Sequence, residues 1–159
     1  MPHDVFDCSP ARIPVYRRRI YHADTDAAGI VHHSRYLAIL EEARTEWIAG
    51  IDDDEFAAFR RGDKAMAVIS TRQRFLQPIR LGRIAEVSCR ITEVGKVRLI
   101  FAYAIAVDGA CCHEAEICVA CVDARVERLC PVPQLLRKFN ARENARRSCM
   151  QPAPGHTGA

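Results

Sequence analysis

Apolar positions along this chain recur with two different periods. Between Ser34 and Ala49, residues Tyr36, Leu40, Ala43 and Trp47 fall at i, i+4, i+7 and i+11, one face of an α-helix, and Leu37 and Ile39 widen it. Glu41 and Arg44 are three apart on a more polar side and are spaced to pair. Gly50 is placed to end the helix. At 1.5 Å per residue such a helix is roughly 24 Å long. Before it, "VYRRRIYH" (Val15 to His22) reads as a strand with weak alternation, and after it "IDDDEFAAFRRGDK" reads as a polar connection with one short helical turn.

After Lys64 the period becomes two. "AMAVISTRQRF" is a strand that Pro78 brings to an end. "IAEVSCRITEV" sets Val87, Cys89 and Ile91 on one face, with Glu86, Ser88, Arg90 and Thr92 on the other. Gly95-Lys96 makes a turn into "VRLIFAYAIAV", whose second face is largely alanine. Asp108-Gly109 is a hairpin signal leading into "CCHEAEICVACVD". "PQLLRKF" suggests a short final helix. The order is therefore a strand, a long helix and four antiparallel strands. An apolar helix face and an apolar sheet face must cover each other, which predicts an α+β domain with a curved five-stranded sheet around one central helix. The domain is expected over residues 14–139, with a loose arm over 1–13 and a basic, flexible tail over 140–159.

Composition narrows the class. The chain has 159 residues, enough for one domain, with 49% hydrophobic and 27% charged residues. No apolar run reaches the ~18 residues of a membrane span, and "MPHDVFDCSPARIP" lacks a secretory pattern, so a cytoplasmic location is expected. A net charge of +3, much of it in "RKFNARENARR", gives no reason to expect nucleic acid. Eight cysteines raise zinc and disulfides. In an alternating strand Cys118 and Cys121 point to opposite faces and cannot chelate one ion, so packing as small hydrophobes is the expected role.

The chemistry is concentrated in "YHADTDAAGIVHHSRYLAILEEAR", Tyr21 to Arg44. Two carboxylates and two imidazoles stand in a loop leading into the helix. The free N–H groups and partial positive charge of a helix start can hold a developing oxyanion. Ala27, Ala28 and Gly29 let a ligand approach the backbone. A carboxylate and an oxyanion donor form a sparse set, and a thioester suits it, because the leaving thiol has a pKa near ~8.5 and needs little protonation. Asp24 reads as a turn or capping carboxylate and His32 as a structural or surface residue. The adjacent histidines diverge at a helix start and show no standard ligand spacing, so no metal is expected.

The D-x-D-x-x-G-x-V-x-H run of "YHADTDAAGIVHHSRYLAILEEARTEWI", together with "EAEICVACVD", resembles the hot-dog-fold acyl-CoA thioesterases of the 4-hydroxybenzoyl-CoA thioesterase family, in their Tol–Pal-associated bacterial branch. The similarity spans about Val15 to Phe139. It implies a hot-dog fold and hydrolysis of an acyl-CoA thioester to a carboxylic acid and coenzyme A, without a cofactor. The family's catalytic aspartate, which attacks the carbonyl or activates a water, falls on Asp26. Its carbonyl-polarising backbone N–H falls on His33, near the first residue of the helix, and the branch also carries a histidine there. His22 stands where the branch has a tyrosine, and Ala28 where the family often has glycine. A related subgroup uses a helix glutamate; Glu41, Glu42 and Glu46 are available, but the aspartate pattern fits better. The resemblance further implies His22 and Gly29 at the substrate, Lys96 and Arg98 on the coenzyme A phosphates, and a homodimer or homotetramer whose sites lie between protomers. The acyl group would arrive on coenzyme A or on acyl carrier protein. Two rival readings are a hot-dog dehydratase of hydroxyacyl thioesters and a non-catalytic acyl-CoA-binding module. No proline-rich histidine motif favours the first, and Asp26 argues against the second.

Overall fold

The central helix forms as α1, Arg35–Ala49, with Ser34 and Gly50 as its caps. The structure is a computed structural model and describes residues 15–51 and 54–138. The arm over 1–13 and the tail over 140–159 lie outside the described residues. Around α1 curls an antiparallel sheet of β1 (Val15–Arg19), β2 (Lys64–Phe75), β3 (Ile84–Val94), β4 (Arg98–Val107) and β5 (Ala110–Asp123), in the order β1-β3-β4-β5-β2. A two-residue strand, β6 (Arg128–Leu129), adds to β5 and was not foreseen. The predicted strand and helix bounds otherwise hold to within a few residues, and the α+β hot-dog architecture is borne out.

The core is the contact between α1 and the hollow of the sheet. Tyr36, Ile39, Leu40 and Ala43 are buried there against Val87 and Cys89 of β3, Phe101, Tyr103 and Ile105 of β4, and Ala115, Ile117 and Val119 of β5. Trp47 meets Phe101 edge-on at 5.9 Å. Each fully buried large aliphatic contributes ~1.5–3 kcal/mol, so the alternation in β3–β5 stabilises as well as patterns the fold.

Four expectations need correction. Leu37 does not widen the buried face and stays exposed. Arg44 does not pair with Glu41 on a polar side. It is 5% exposed, and its guanidinium donates to the Tyr103 hydroxyl at 3.0 Å inside the core. The connection after α1 holds a full helix, α2 (Asp54–Arg60), because Phe56 is completely buried and a helix brings Phe59 alongside it. Cysteine packing alone does not cover Cys111, which is disulfide-bonded. Cys89, Cys112, Cys118, Cys121 and Cys130 are free.

The two ends of the sheet differ. At one end stand Arg19, Ile84, Val107 and Phe75, and there the loop before α1 is stitched to the segment before β3. At the other end are the β3–β4 turn, the close of β5, β6 and a final helical stretch over residues 134–138. Eleven residues of β3 separate the two, a span of roughly 35 Å at ~3.3 Å per residue. Among the described residues no strand pairs with the outer edge of β2, and Val68 and Ile69 there are each 52% exposed.

Candidate active site

The loop from Thr25 to Val31 closes on itself. Thr25 and Val31 form an antiparallel bridge, and Ile30 bridges Arg80. The Asp26 N–H donates to Ile30 O at 2.9 Å, and the Gly29 N–H returns to Asp26 O at 3.0 Å. Gly29 makes the reversal with φ +71°, where a side chain would strain the backbone. Outside this loop, Val31 N–H bonds Ile79 O at 2.8 Å and Leu81 N–H bonds Gly29 O at 3.1 Å.

Within it, Asp26 Oδ1 accepts the Ala28 N–H at 2.8 Å and the Ile30 N–H at 3.4 Å. One carboxylate oxygen is thereby fixed, and Oδ2 is left for other work. Asp26 and His33 line a single cleft of about 370 Å³, with Ile30, Val31, Tyr36 and the run Phe75–Leu76–Gln77–Pro78. His33 lies two residues before α1 rather than in its first turn, yet its N–H has no acceptor among the described residues. A carboxylate and an unused backbone donor thus border one largely apolar chamber.

The four remaining candidates do not line this cleft. His22 is exposed on a short 3-10 turn, and its carbonyl is capped by Thr25. Gly29 shapes the loop from behind. Lys96 and Arg98 are at the far end of the sheet, where the Lys96 carbonyl accepts from Val132 and Arg137. The residues not foreseen are Phe75 to Pro78 and Tyr36. Their only signal was an apolar pair at a strand end just before a proline.

The histidine pair also differs from expectation. The His32 and His33 rings do not diverge; their centroids are 4.2 Å apart. His32 Nδ1 shares a 2.8 Å hydrogen bond with Ser34 Oγ at the helix start. No three His, Cys, Asp or Glu side chains among the described residues converge as a metal-sized set.

Behind the cleft, Tyr36 and Phe75 are in ring contact at 5.0 Å, and both touch His113 of β5, at 4.5 and 5.1 Å. His113 is fully buried, with Nε2 bonded to Gln73 Oε1 at 3.1 Å and Nδ1 without a partner among the described residues. Burial lowers its pKa to about 4 from 6.5, so the ring is neutral. The unfolded chain then binds a proton that the folded one refuses. The resulting stability is complete above about pH 6.5 and is lost as pH falls towards about 4. Denaturant titrations at neutral pH and in the lower part of that window should show wild type losing ~2–3 kcal/mol more than a His113→Phe variant. Equal losses would show that His113 is not the proton-binding group.

Asp24 was expected to cap a turn, and it does more. It is 1% exposed and receives Arg18 Nη2 at 2.7 Å, Arg35 Nη2 at 3.1 Å and the Tyr21 N–H at 3.0 Å. Burial works against its charge. The Tyr21 N–H, Arg35 and Arg18 together outweigh burial and hold the carboxyl below its ordinary range.

The chain's sequence and fold have counterparts in known proteins. The thioesterase-like superfamily matches residues 20–139, and the chain belongs to that superfamily. Among relatives, the acyl-CoA thioester hydrolase YbgC of Escherichia coli is 33% identical over 106 residues, covering 66% of this chain and 78% of its own. The acyl-CoA thioesterase YbgC of Haemophilus influenzae is 29% identical over 105 residues, covering 66% and 77%. Among solved structures, a Thermus thermophilus protein, TT1821, superposes with a TM-score of 0.70 at 27% identity over 80% of this chain and 96% of its own. The Synechocystis 1,4-dihydroxy-2-naphthoyl-CoA thioesterase shares the fold, with a TM-score of 0.68 at 24% identity over 80% and 94%. The family and fold implied by the signature are both borne out.

Proposed function

We propose that this protein hydrolyses acyl-CoA thioesters, with Asp26 as base or nucleophile and the His33 N–H as carbonyl donor. The observation that carries this reading is the pairing of a fixed carboxylate and an unused N–H across one apolar cleft. The acyl group enters between Tyr36, Phe75 and Pro78. The carbonyl oxygen takes the His33 N–H, assisted by the helix dipole. The free Asp26 oxygen either removes a proton from water or adds to the carbonyl carbon. The C–S bond breaks and the thiolate leaves and is protonated; water supplies the second oxygen of the acid in the first route, whereas in the second Asp26 supplies it and water, opening the mixed anhydride at the aspartyl carbon, restores the carboxylate. Oxygen-18 water in a single turnover separates the two routes, because only the covalent route puts label into Asp26.

Following thiol release from a panel of acyl-CoA and acyl carrier protein esters tests the reaction. A free thiol with a free acid is expected. A dehydratase would leave the thioester intact, and a binding module would leave the substrate unchanged. The reaction as written uses no metal or cofactor, so turnover should survive EDTA. Activity lost to chelation and restored by a divalent ion would return attention to the histidine pair.

The same reading includes a homo-oligomer. The long exposed edge of β2, with Val68 and Ile69 uncovered, is suited to pairing with a second copy. An antiparallel pairing centred near Ile69 would bring one protomer's Phe75 beside the start of its partner's β2. The basic end would then approach the cleft, with Arg98 about two strand spacings, ~10 Å, from the shared edge. Lys96 and Arg98 would thus serve the phosphates of an ester cleaved in the other protomer. For location we favour the cytoplasm, on the five free cysteines. The disulfide at Cys111 points the other way, and counting thiols in a freshly quenched extract decides.

A further inference from the structure

We infer that Asp24 and Arg18 are positioning residues that set where the Asp26 carboxylate and the His33 N–H stand relative to each other. The inference rests on the hydrolytic reading above, since it assigns those two groups their task. The inner loop from Asp26 to Ile30 is stiff, held by Asp26 N–H to Ile30 O, Gly29 N–H to Asp26 O and Ala28 N–H to Asp26 Oδ1. A stiff loop moves as a body, so its orientation depends on its attachments.

Asp24 gathers those attachments. Its side chain holds the Tyr21 N–H ahead of the loop, and its carbonyl accepts the His32 N–H behind it at 2.9 Å. The same carboxylate holds Arg35, the first residue of α1, at 3.1 Å. One residue therefore ties the chain before Asp26, the chain just before His33 and the helix start. Arg18 anchors this knot to the sheet. It reaches from β1 to Asp24 at 2.7 Å and to Glu42, two turns along α1, at 3.2 Å. Tyr16 donates to the same Glu42 at 3.1 Å, so strand, helix and loop share one ion-paired chain.

None of these side chains lines the cleft. Their loss should misplace the reacting groups without emptying the substrate site. A displacement near 1 Å can lower the rate ~10²-fold. Arg18→Gln and Asp24→Asn are therefore expected to lower kcat by ~10–100-fold with KM within about two-fold, assayed well below each variant's Tm. Arg18→Lys keeps a charge toward Asp24 and should recover part of the loss. Glu42→Gln is the milder variant should Asp24→Asn fail to fold, and Arg17→Gln, on the same strand as Arg18 but paired at 3.0 Å with Glu86 of β3, should leave kcat unchanged. Hydrogen exchange at the Tyr21 and His32 amides, which bond Asp24, should quicken in Arg18→Gln but not in Arg17→Gln. Wild-type kcat in folded Arg18→Gln and Glu42→Gln, with Asp26→Asn inactive, overturns the inference alone. So does a kcat that falls only with the folded fraction. An active Asp26→Asn overturns the hydrolytic reading instead.

Discussion

Asp26→Asn lowers the turnover number by ~10²–10⁴-fold while binding of the coenzyme A ester changes little. The asparagine oxygen can still accept the Ala28 and Ile30 N–H bonds that fix Asp26 Oδ1, so the loop keeps its shape. What changes is the second oxygen, replaced by an amide nitrogen that neither takes a proton nor adds to a carbonyl. The cleft walls Tyr36, Phe75 and Pro78 are untouched, so affinity has no reason to move. Steady-state kinetics together with direct titration of a slowly turned-over ester separate the two quantities. Turnover retained within a few-fold would remove Asp26 from the chemistry.

The second large effect is a gain rather than a loss. Asp26→Asn chains are inactive by the first argument, and chains carrying Lys96→Glu with Arg98→Glu should lose ~10²-fold in kcat/KM through repulsion of the ester phosphates. Co-expressed, the two inactive chains should restore activity. If Asp26 of one protomer works with Lys96 and Arg98 of the other, every mixed dimer holds one intact site and one doubly defective site. Random assortment makes half the dimers mixed, so the mixture should reach about a quarter of wild-type activity. Activity no greater than the sum of the two parents would mean that the basic end serves no partner cleft.

These experiments address different grades of legibility. The helix, the alternating strands and the gathering of Asp26 and His33 at one cleft were readable because each is local: period, turn residues and the spacing from Asp26 to His33 lie within one stretch of chain. What could not be read depends on neighbours distant in sequence. Phe75 to Pro78 join the cleft because β2 ends beside the start of α1, and Arg18 meets Asp24 because β1 runs under the loop. Asp24 looked like an ordinary turn carboxylate because its partners, Arg18 and Arg35, are recruited by the fold. The resemblance set Lys96 and Arg98 on the coenzyme A phosphates, and where their turn stands depends on the strand order. In the order β1-β3-β4-β5-β2 their turn is a full strand length from Asp26. Arg44 is the sharpest case, since helical spacing gave it a polar setting and the Tyr103 hydroxyl drew it into the core.

The twelve-residue edge of β2 has a consequence for anyone handling the protein. If the proposed association covers that edge, each protomer owes part of its folding free energy to mass action. Its melting temperature should climb with protein concentration, and its specific activity should decline on dilution, even with substrate saturating. Comparisons between variants then hold only at matched concentration. A substitution on Val68 or Ile69, remote from Asp26, would register as a loss of catalysis in dilute assays and vanish in concentrated ones.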